Sequence, residues 1–122
     1  MKFTLDNPQG EFVFSNYGSG FLTVNDEQHH SSLIIFPDHV EAWQVAGIEQ
    51  LNADDFGIFT QRTPDVVILG TGATQKFPTV ALRRELVRRN IQLDIMDTPA
   101  ACRTYNLLVS EDRNVGAAIF LI

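Results

Sequence analysis

The sequence predicts an α/β fold, in which a parallel strand–helix–strand core follows a β-rich first half within one domain, residues 1–122. Three observations lead to this prediction. Strand and helix patterns alternate in the second half, and such alternation produces right-handed parallel crossovers. Short β-like runs separated by turn residues fill the first half. A length of 122 residues without repeats or a Pro/Ser-rich linker is typical of one domain.

The first half predicts short strands that extend or cover the main sheet. Apolar runs bounded by Gly, Asn, Asp or Pro mark them. With turns at 16–20 and 25–27, the predicted strands span residues 11–14, 21–24, 32–36 and from 40 to 42 or 45. Asn52 then predicts the cap of a short helix that ends near Gln61, because its side chain accepts hydrogen bonds from first-turn N–H groups.

The second half predicts a strand that is covered on both faces. The continuous apolar run DVVIL at residues 65–69 lies between a proline and a glycine, which is typical of such a strand. Pro78 and Thr79 then open a helix that runs to about Asn90, and residues 91–96 predict the next strand.

The last third predicts a helix and a final strand. Thr98 places a capping hydroxyl directly before Pro99, a combination that predicts a helix start, and this helix runs to about Ser110. A polar turn separates it from the apolar run 115–122. The direction of this last strand is left open.

The composition is that of an ordinary globular protein. Hydrophobic residues make up 44% of the chain and charged residues 20%. Nine basic against fifteen acidic residues give a net charge of −6, which argues against nucleic-acid binding through phosphates. The single cysteine excludes an internal disulfide. No signal or transit pattern and no apolar run of membrane-spanning length is found, so we expect a cytoplasmic protein without a membrane span.

Charge is divided unequally along the chain. Residues 1–60 hold one base and nine acids, a net charge of −8, whereas residues 61–122 hold eight bases and six acids, a net charge of +2. This asymmetry indicates either a solvated acidic surface or opposed faces that meet a partner. Association with a second copy of the chain is one form of the latter and stays open.

The predicted helix after Pro78 carries four of the nine bases. Its apolar arc is formed by Val80, Leu82, Leu86 and Val87, and three arginines lie outside this arc: Arg84, Arg88 and Arg89. These three form either a solvated face or a surface that suits an acidic partner. Arg83 falls within the arc, where its stem lies along the core edge or its guanidinium meets an acid.

A glycine-containing loop follows the predicted buried strand. Loops of this kind cradle phosphates when a helix starts directly after them. Here Gln75 stands where the third glycine of a dinucleotide fingerprint belongs, and Pro78 delays the helix. The segment 70–72 is therefore either a tight turn or a small anion site.

The single cysteine and the adjacent histidines are the remaining reactive groups. Cys102 lies near a helix start, which favours the thiolate, but no sequence feature brings a base to it. It is therefore a candidate nucleophile or a buried structural residue. His29 and His30 adjoin acidic residues in a predicted turn, and no further ligands can be named, so we predict no metal site and no cofactor.

Two segments resemble one family of small domains of unknown function, found in bacteria, archaea and eukaryotes. They are residues 97–106, DTPAACRTYN, with Leu108, Glu111 and Arg113 after them, and residues 64–72, PDVVILGTG. The family includes the third assembly factor of mitochondrial respiratory complex I and an adipogenesis-associated human protein. The resemblance implies a single three-layer α/β domain around a mixed sheet. It implies no established catalytic activity, cofactor or metal, and it implies protein partners.

The segments of the resemblance also predict one candidate binding site. The carboxyl ends of neighbouring parallel strands meet at one edge of a sheet, where α/β proteins bind ligands. The predicted polar crevice consists of Gly70, Thr71, Gly72, Asp97, Thr98, Arg103 and Asn106. The alternative is structural, with these residues serving as caps, as a tight turn and as ties between helix and loop.

Three functions remain open at this stage. The leading hypothesis is a non-enzymatic module that binds another protein during the assembly of a larger complex. The second is a domain that binds an anion or small molecule through the 70–72 loop and Arg103. The third is a thiol enzyme that acts through Cys102.

Overall fold

A computed structural model of the protein describes residues 10–122. In chain order its elements are β1 (Phe14–Gly18), β2 (Phe21–Val24), β3 (Glu27–His29), β4 (Leu33–Phe36), β5 (His39–Ala42), the 3-10 turns Ile48–Gln50 and Ala53–Phe56, α1 (Gly57–Arg62), β6 (Val66–Gly70), α2 (Val80–Arg88), β7 (Leu93–Met96), α3 (Thr98–Ser110) and β8 (Val115–Ile119).

These elements form layers around a mixed five-stranded sheet of order β5-β4-β8-β6-β7. β6 is parallel to both β7 and β8, whereas β4 is antiparallel to β5 and β8. A core cluster on one face joins α3 and the separate antiparallel sheet β1-β2-β3 to the main sheet. A second cluster joins α1, α2 and the 3-10 turns to the opposite face. The predicted α/β fold with a parallel core and a β-rich first half is confirmed.

The central strands are buried because their sequences are apolar or small throughout. All five residues of β8 are buried, as are four of the five in β6. Gly116 of β8 has no room for a side chain, since a Cβ there would lie 2.5 Å from Phe36 Cε2. The direction of β8, which the sequence left open, follows from its parallel pairing with β6.

Of the three strands in the small sheet, β2 matches the predicted strand 21–24, whereas β1 and β3 are poorly predicted. β1 runs over Phe14–Gly18, so the strand prediction for 11–14 and the turn prediction from residue 16 are both displaced. The chain over Glu27–His29, predicted as turn, pairs with β2 as an edge strand. Its residues are exposed or half-buried polar side chains, so no hydrophobic alternation marks them as a strand.

The helix caps follow local hydrogen bonding, with one correction. The Asn52 side chain accepts a hydrogen bond from Asp54 N at 2.9 Å and is a cap as predicted, but it caps the 3-10 turn Ala53–Phe56, and α1 begins only after that turn. Thr79 caps α2 by accepting from Leu82 N at 3.1 Å. The prediction that Thr98 caps α3 is wrong, because the residue before it, Asp97, is the N-cap.

Candidate functional site

The loop after β6 is joined to the start of α3 and to the chain after β8 through one threonine side chain. Gly72 N donates to Thr98 Oγ1 at 2.9 Å, and this hydroxyl donates to Phe120 O at 2.7 Å. Thr98 N in turn donates to Gly72 O at 2.8 Å. Since Thr98 has no exposed surface, its hydroxyl acts as a bridge within the fold.

Both glycines of the loop occupy positions that a side chain would disturb. A Cβ at Gly70 would lie 3.0 Å from Ala101 Cβ and 3.2 Å from Thr98 Oγ1. Gly72 has a φ of +101°, a region that L residues rarely adopt, and a Cβ there would lie 3.3 Å from Leu121 O. Close packing of the loop on its neighbours therefore accounts for glycine at both positions.

The polar groups at the centre of the loop are engaged by the protein itself. Thr71 N donates to Met96 O at 2.9 Å. The Thr71 hydroxyl donates to Thr74 O at 2.7 Å and accepts from Lys76 N at 3.1 Å. Because Gly72 N is also engaged, neither of these two N–H groups is free to face an anion. Ligand binding at the loop stays a prediction that this geometry does not favour.

The structure brings five of the seven predicted crevice residues to one edge of the sheet. The loop from Gly70 to Gly72 follows β6, and Asp97 and Thr98 follow the neighbouring β7. The Asp97 carboxylate accepts from Ala100 N at 2.8 Å, so it satisfies the start of α3. Its Oδ1 thus serves the helix cap.

The other two crevice residues contact β1. Arg103 Nη1 donates to Tyr17 Oη at 3.1 Å. Asn106 makes two hydrogen bonds to the backbone of Phe14, accepting from its N at 2.9 Å and donating to its O at 2.7 Å. Only the packing of β1 against α3 shows what these two side chains meet.

The environment of Cys102 argues against a nucleophilic thiol. Cys102 is 2% exposed and belongs to the core cluster beneath α3. Burial raises the pKa of its thiol to about 12, against a smaller lowering effect from the charge of Arg103. The thiolate, which is the reactive form, is therefore scarce at neutral pH.

Metal ligands do not gather in the described part of the chain. Over residues 10–122 no group of three or more His, Cys, Asp or Glu side chains could hold a metal ion. His29 lies on the edge strand β3 and His30 follows it directly. Among these same residues, no helix combines the length and apolar character needed to cross a membrane.

The outer side of α2 exposes apolar side chains that the sequence assigned to one buried arc. Leu82 and Leu86 are buried, whereas Val80 and Val87 are 53% and 59% exposed. β7 is the edge strand of the sheet, so no further strand lies beneath this side of the helix. The predicted arc is therefore correct for the two leucines and wrong for the two valines.

The three arginines predicted as a partner face have different surroundings. Arg88 Nη1 lies 3.1 Å from Glu85 Oε1. Arg89 pairs with Glu85 at 3.3 Å and with Asp54 at 3.1 Å. The second pair joins the end of α2 to the 3-10 turn Ala53–Phe56. Hydrogen bonds from these two arginines lower the pKa of Glu85. Arg84 makes no hydrogen bond or ion pair with residues 10–122, so its charge is unneutralised there.

The fold and this site define a small three-layer α/β domain whose predicted crevice residues form hydrogen bonds within the fold. The chain belongs to the family described as "Protein of unknown function (DUF498/DUF598)", whose sequence model matches residues 14–120. The resemblance found in the sequence is thereby confirmed.

Three relatives illustrate the range of the similarity. A Rattus norvegicus protein named NADH dehydrogenase [ubiquinone] 1 alpha subcomplex assembly factor 3 is 32% identical over 92% of this chain, which spans 61% of the rat protein. A Francisella tularensis protein named 13 kDa major membrane protein is 27% identical over 91% of this chain and 92% of its own. The crystal structure of a Bordetella parapertussis protein has a TM-score of 0.84 at 28% identity, covering 93% of this chain and 98% of that one.

Proposed function

We propose that the chain is a non-enzymatic module that binds a protein partner and acts in the assembly of a larger complex. Its relatives named as assembly factors align over nearly all of this chain. Their own chains are longer, so the role of the whole protein is part of the proposal.

The exposed face of α2 is the observation that carries the proposal. Val80 and Val87 are more than half exposed there beside Arg84, whose charge has no described partner. Apolar side chains exposed next to unneutralised charge are typical of protein interaction sites. By contrast, the polar groups of the 70–72 loop are engaged in holding β6, α3 and β8 together.

We infer that this binding takes place in the cytoplasm, and association of the chain with a second copy stays open. A single, buried thiol suits a reducing compartment. The Francisella relative, by contrast, is named a membrane protein, and the location therefore needs a test of its own. Cell fractionation of the native chain tests the location, and its molar mass in solution tests self-association.

The test is affinity capture of the tagged chain from its own host at native expression. One stoichiometric protein partner is expected. Two variants locate the contact after a folding check: Val80→Ser with Arg84→Ala changes the α2 face, and Arg103→Ala changes the α3 edge of the predicted crevice. Loss of the partner with the first variant alone supports the α2 face, whereas recovery of no partner would remove the assembly role.

A further inference from the structure

A first hollow lies between α2 and the edge strand β7. It has a volume of about 360 Å³ and is lined by Phe77, Arg83 and Val87 on the helix side and by Leu93 and Ile95 on β7. A second hollow of about 410 Å³ on the outer face of α2 shares Arg83 and Val87 with it. We call the two hollows together the α2–β7 groove.

Exposed apolar side chains concentrate at this groove. Residues 10–122 expose four large apolar side chains by more than half, and three of them border the groove: Phe77, Val80 and Val87. The fourth, Leu107, is on α3. Phe77 is 57% exposed although it is an aromatic residue in an otherwise polar loop. An apolar cluster of this kind at a sheet edge fits an apolar side chain from a partner.

Arg83 gives the groove its charge and its hydrogen-bonding specificity. The guanidinium carbon lies 5.5 Å from the centroid of the Phe77 ring, so the charge rests over an aromatic face. Its Nε is buried and donates no hydrogen bond to the described part of the chain. The Arg83 guanidinium also forms no ion pair with a carboxylate of residues 10–122. A carboxylate is the group that best satisfies an unpaired guanidinium.

Charge around the groove favours an acidic partner over a two-fold dimer of the chain. Arg83 and Arg84 both lack an ion-pair partner in the described chain, and Arg88 lies at the same hollow. A two-fold dimer through this face would bring these arginines against their own copies, and like charges at an interface are unfavourable. Asp94 lines the β7 side, so an acidic residue of the partner belongs on the α2 side.

Building on the proposed function, we propose that the α2–β7 groove binds a partner-protein segment in which an apolar side chain stands beside an acidic residue. The apolar side chain packs against Phe77 and Val87. The carboxylate accepts hydrogen bonds from the Arg83 guanidinium.

Site-specific photo-crosslinking in the host tests the location. The crosslinker p-benzoylphenylalanine replaces Val87 in the full chain, and in the matched control it replaces Leu107, which has nearly the same exposed fraction, 57% against 59%. We expect a partner crosslinked from position 87 and not from 107. The crosslinked segment, sequenced by mass spectrometry, should contain Asp or Glu next to an apolar residue.

Affinity measurements with that purified partner test the chemistry. Arg83→Glu should weaken binding by at least about 10-fold, because it replaces a charge-assisted contact by repulsion. Arg113→Glu makes the same charge change at an exposed arginine outside the groove and should leave the affinity within about 2-fold. Val87→Glu, at a position too exposed to threaten folding, should weaken binding as Arg83→Glu does. Replacing the partner's acidic residue by lysine should restore binding to Arg83→Glu.

The outcomes separate this inference from the proposed function. A partner that is captured but crosslinks from position 107 alone, or that binds Arg83→Glu as tightly as the unchanged chain, overturns the groove and leaves the proposed function standing. A crosslink from position 87 to a second copy of the chain also overturns it. Capture of no partner under any condition overturns both.

Discussion

Replacing Thr98 by valine should destabilise the protein strongly, although the two side chains have nearly the same shape. The buried hydroxyl accepts from Gly72 N and donates to Phe120 O, so it joins the loop to the end of β8. Valine fills the same space, but it leaves Gly72 N without this acceptor and Phe120 O without this donor.

The size of the effect follows from the burial of those two groups. A buried donor or acceptor left unsatisfied costs about 1–3 kcal/mol. Gly72 is buried, so its unpaired N–H group bears the full desolvation cost. Phe120 is half-buried, so its unpaired carbonyl group bears only part of that cost. We therefore expect Thr98→Val to lower the free energy of unfolding by about 3 kcal/mol. For a domain of this length the melting temperature should fall by about 10 °C.

Urea unfolding followed by circular dichroism measures this change, and Thr98→Ser is the matched control. Serine keeps the hydroxyl and loses one methyl group, at a cost of about 1 kcal/mol. A lower midpoint at an unchanged m-value would show that stability, and not the unfolded state, has changed. If Thr98→Val were as stable as Thr98→Ser, the hydroxyl bridge would not hold the loop and our account of the 70–72 segment would be refuted.

Three further predictions concern other contacts of the fold. Asn106→Ala removes both side-chain hydrogen bonds to Phe14 and should cost about 1–3 kcal/mol in chemical unfolding, whereas an unchanged midpoint would mean that α3 does not depend on this tie to β1. Gly116→Ala forces the Phe36 ring to move and should cost about 1–3 kcal/mol by the same measurement, a prediction that equal stability would contradict. Cys102 should react with iodoacetamide at pH 8 more than about 100-fold more slowly in the folded than in the urea-unfolded protein, because its folded pKa is about 12; rapid native labelling would contradict its burial. Since that pKa is raised above the unfolded value, the associated stability is complete below about pH 9 and is lost as the pH rises toward 12.

Local signals in the sequence were sufficient for the elements of the second half. The apolar run at 65–69 corresponds to β6, displaced by one residue. The predicted helix opening at Thr79 corresponds to α2, with the Thr79 side chain as cap. Caps, turns and buried strands depend on neighbours within a few residues, and those neighbours are visible in the sequence.

Contacts between distant segments were beyond the same reasoning. The strand at Glu27–His29 exists because β2 offers it a pairing edge, and its own polar residues carry no strand signal. Val87 was assigned to an apolar arc, but its exposure depends on β7 being the last strand of the sheet. Two local features of the sequence pointed toward the groove. Arg83 falls within the apolar arc of the helix, and Phe77 is an aromatic residue next to a proline in the loop before that helix.

By itself, the sequence determined the α/β class, the parallel core and the family to which the chain belongs. These features rest on periodicity, turn chemistry and contiguous motifs, which are local properties of a chain. Only the tertiary structure decided that the Thr98 hydroxyl and the Asn106 amide are engaged within the fold, and that Arg83 is left without a carboxylate partner in residues 10–122. The physical reason is that burial and hydrogen bonding of a side chain depend on which distant element packs against it, and residue spacing does not specify that neighbour.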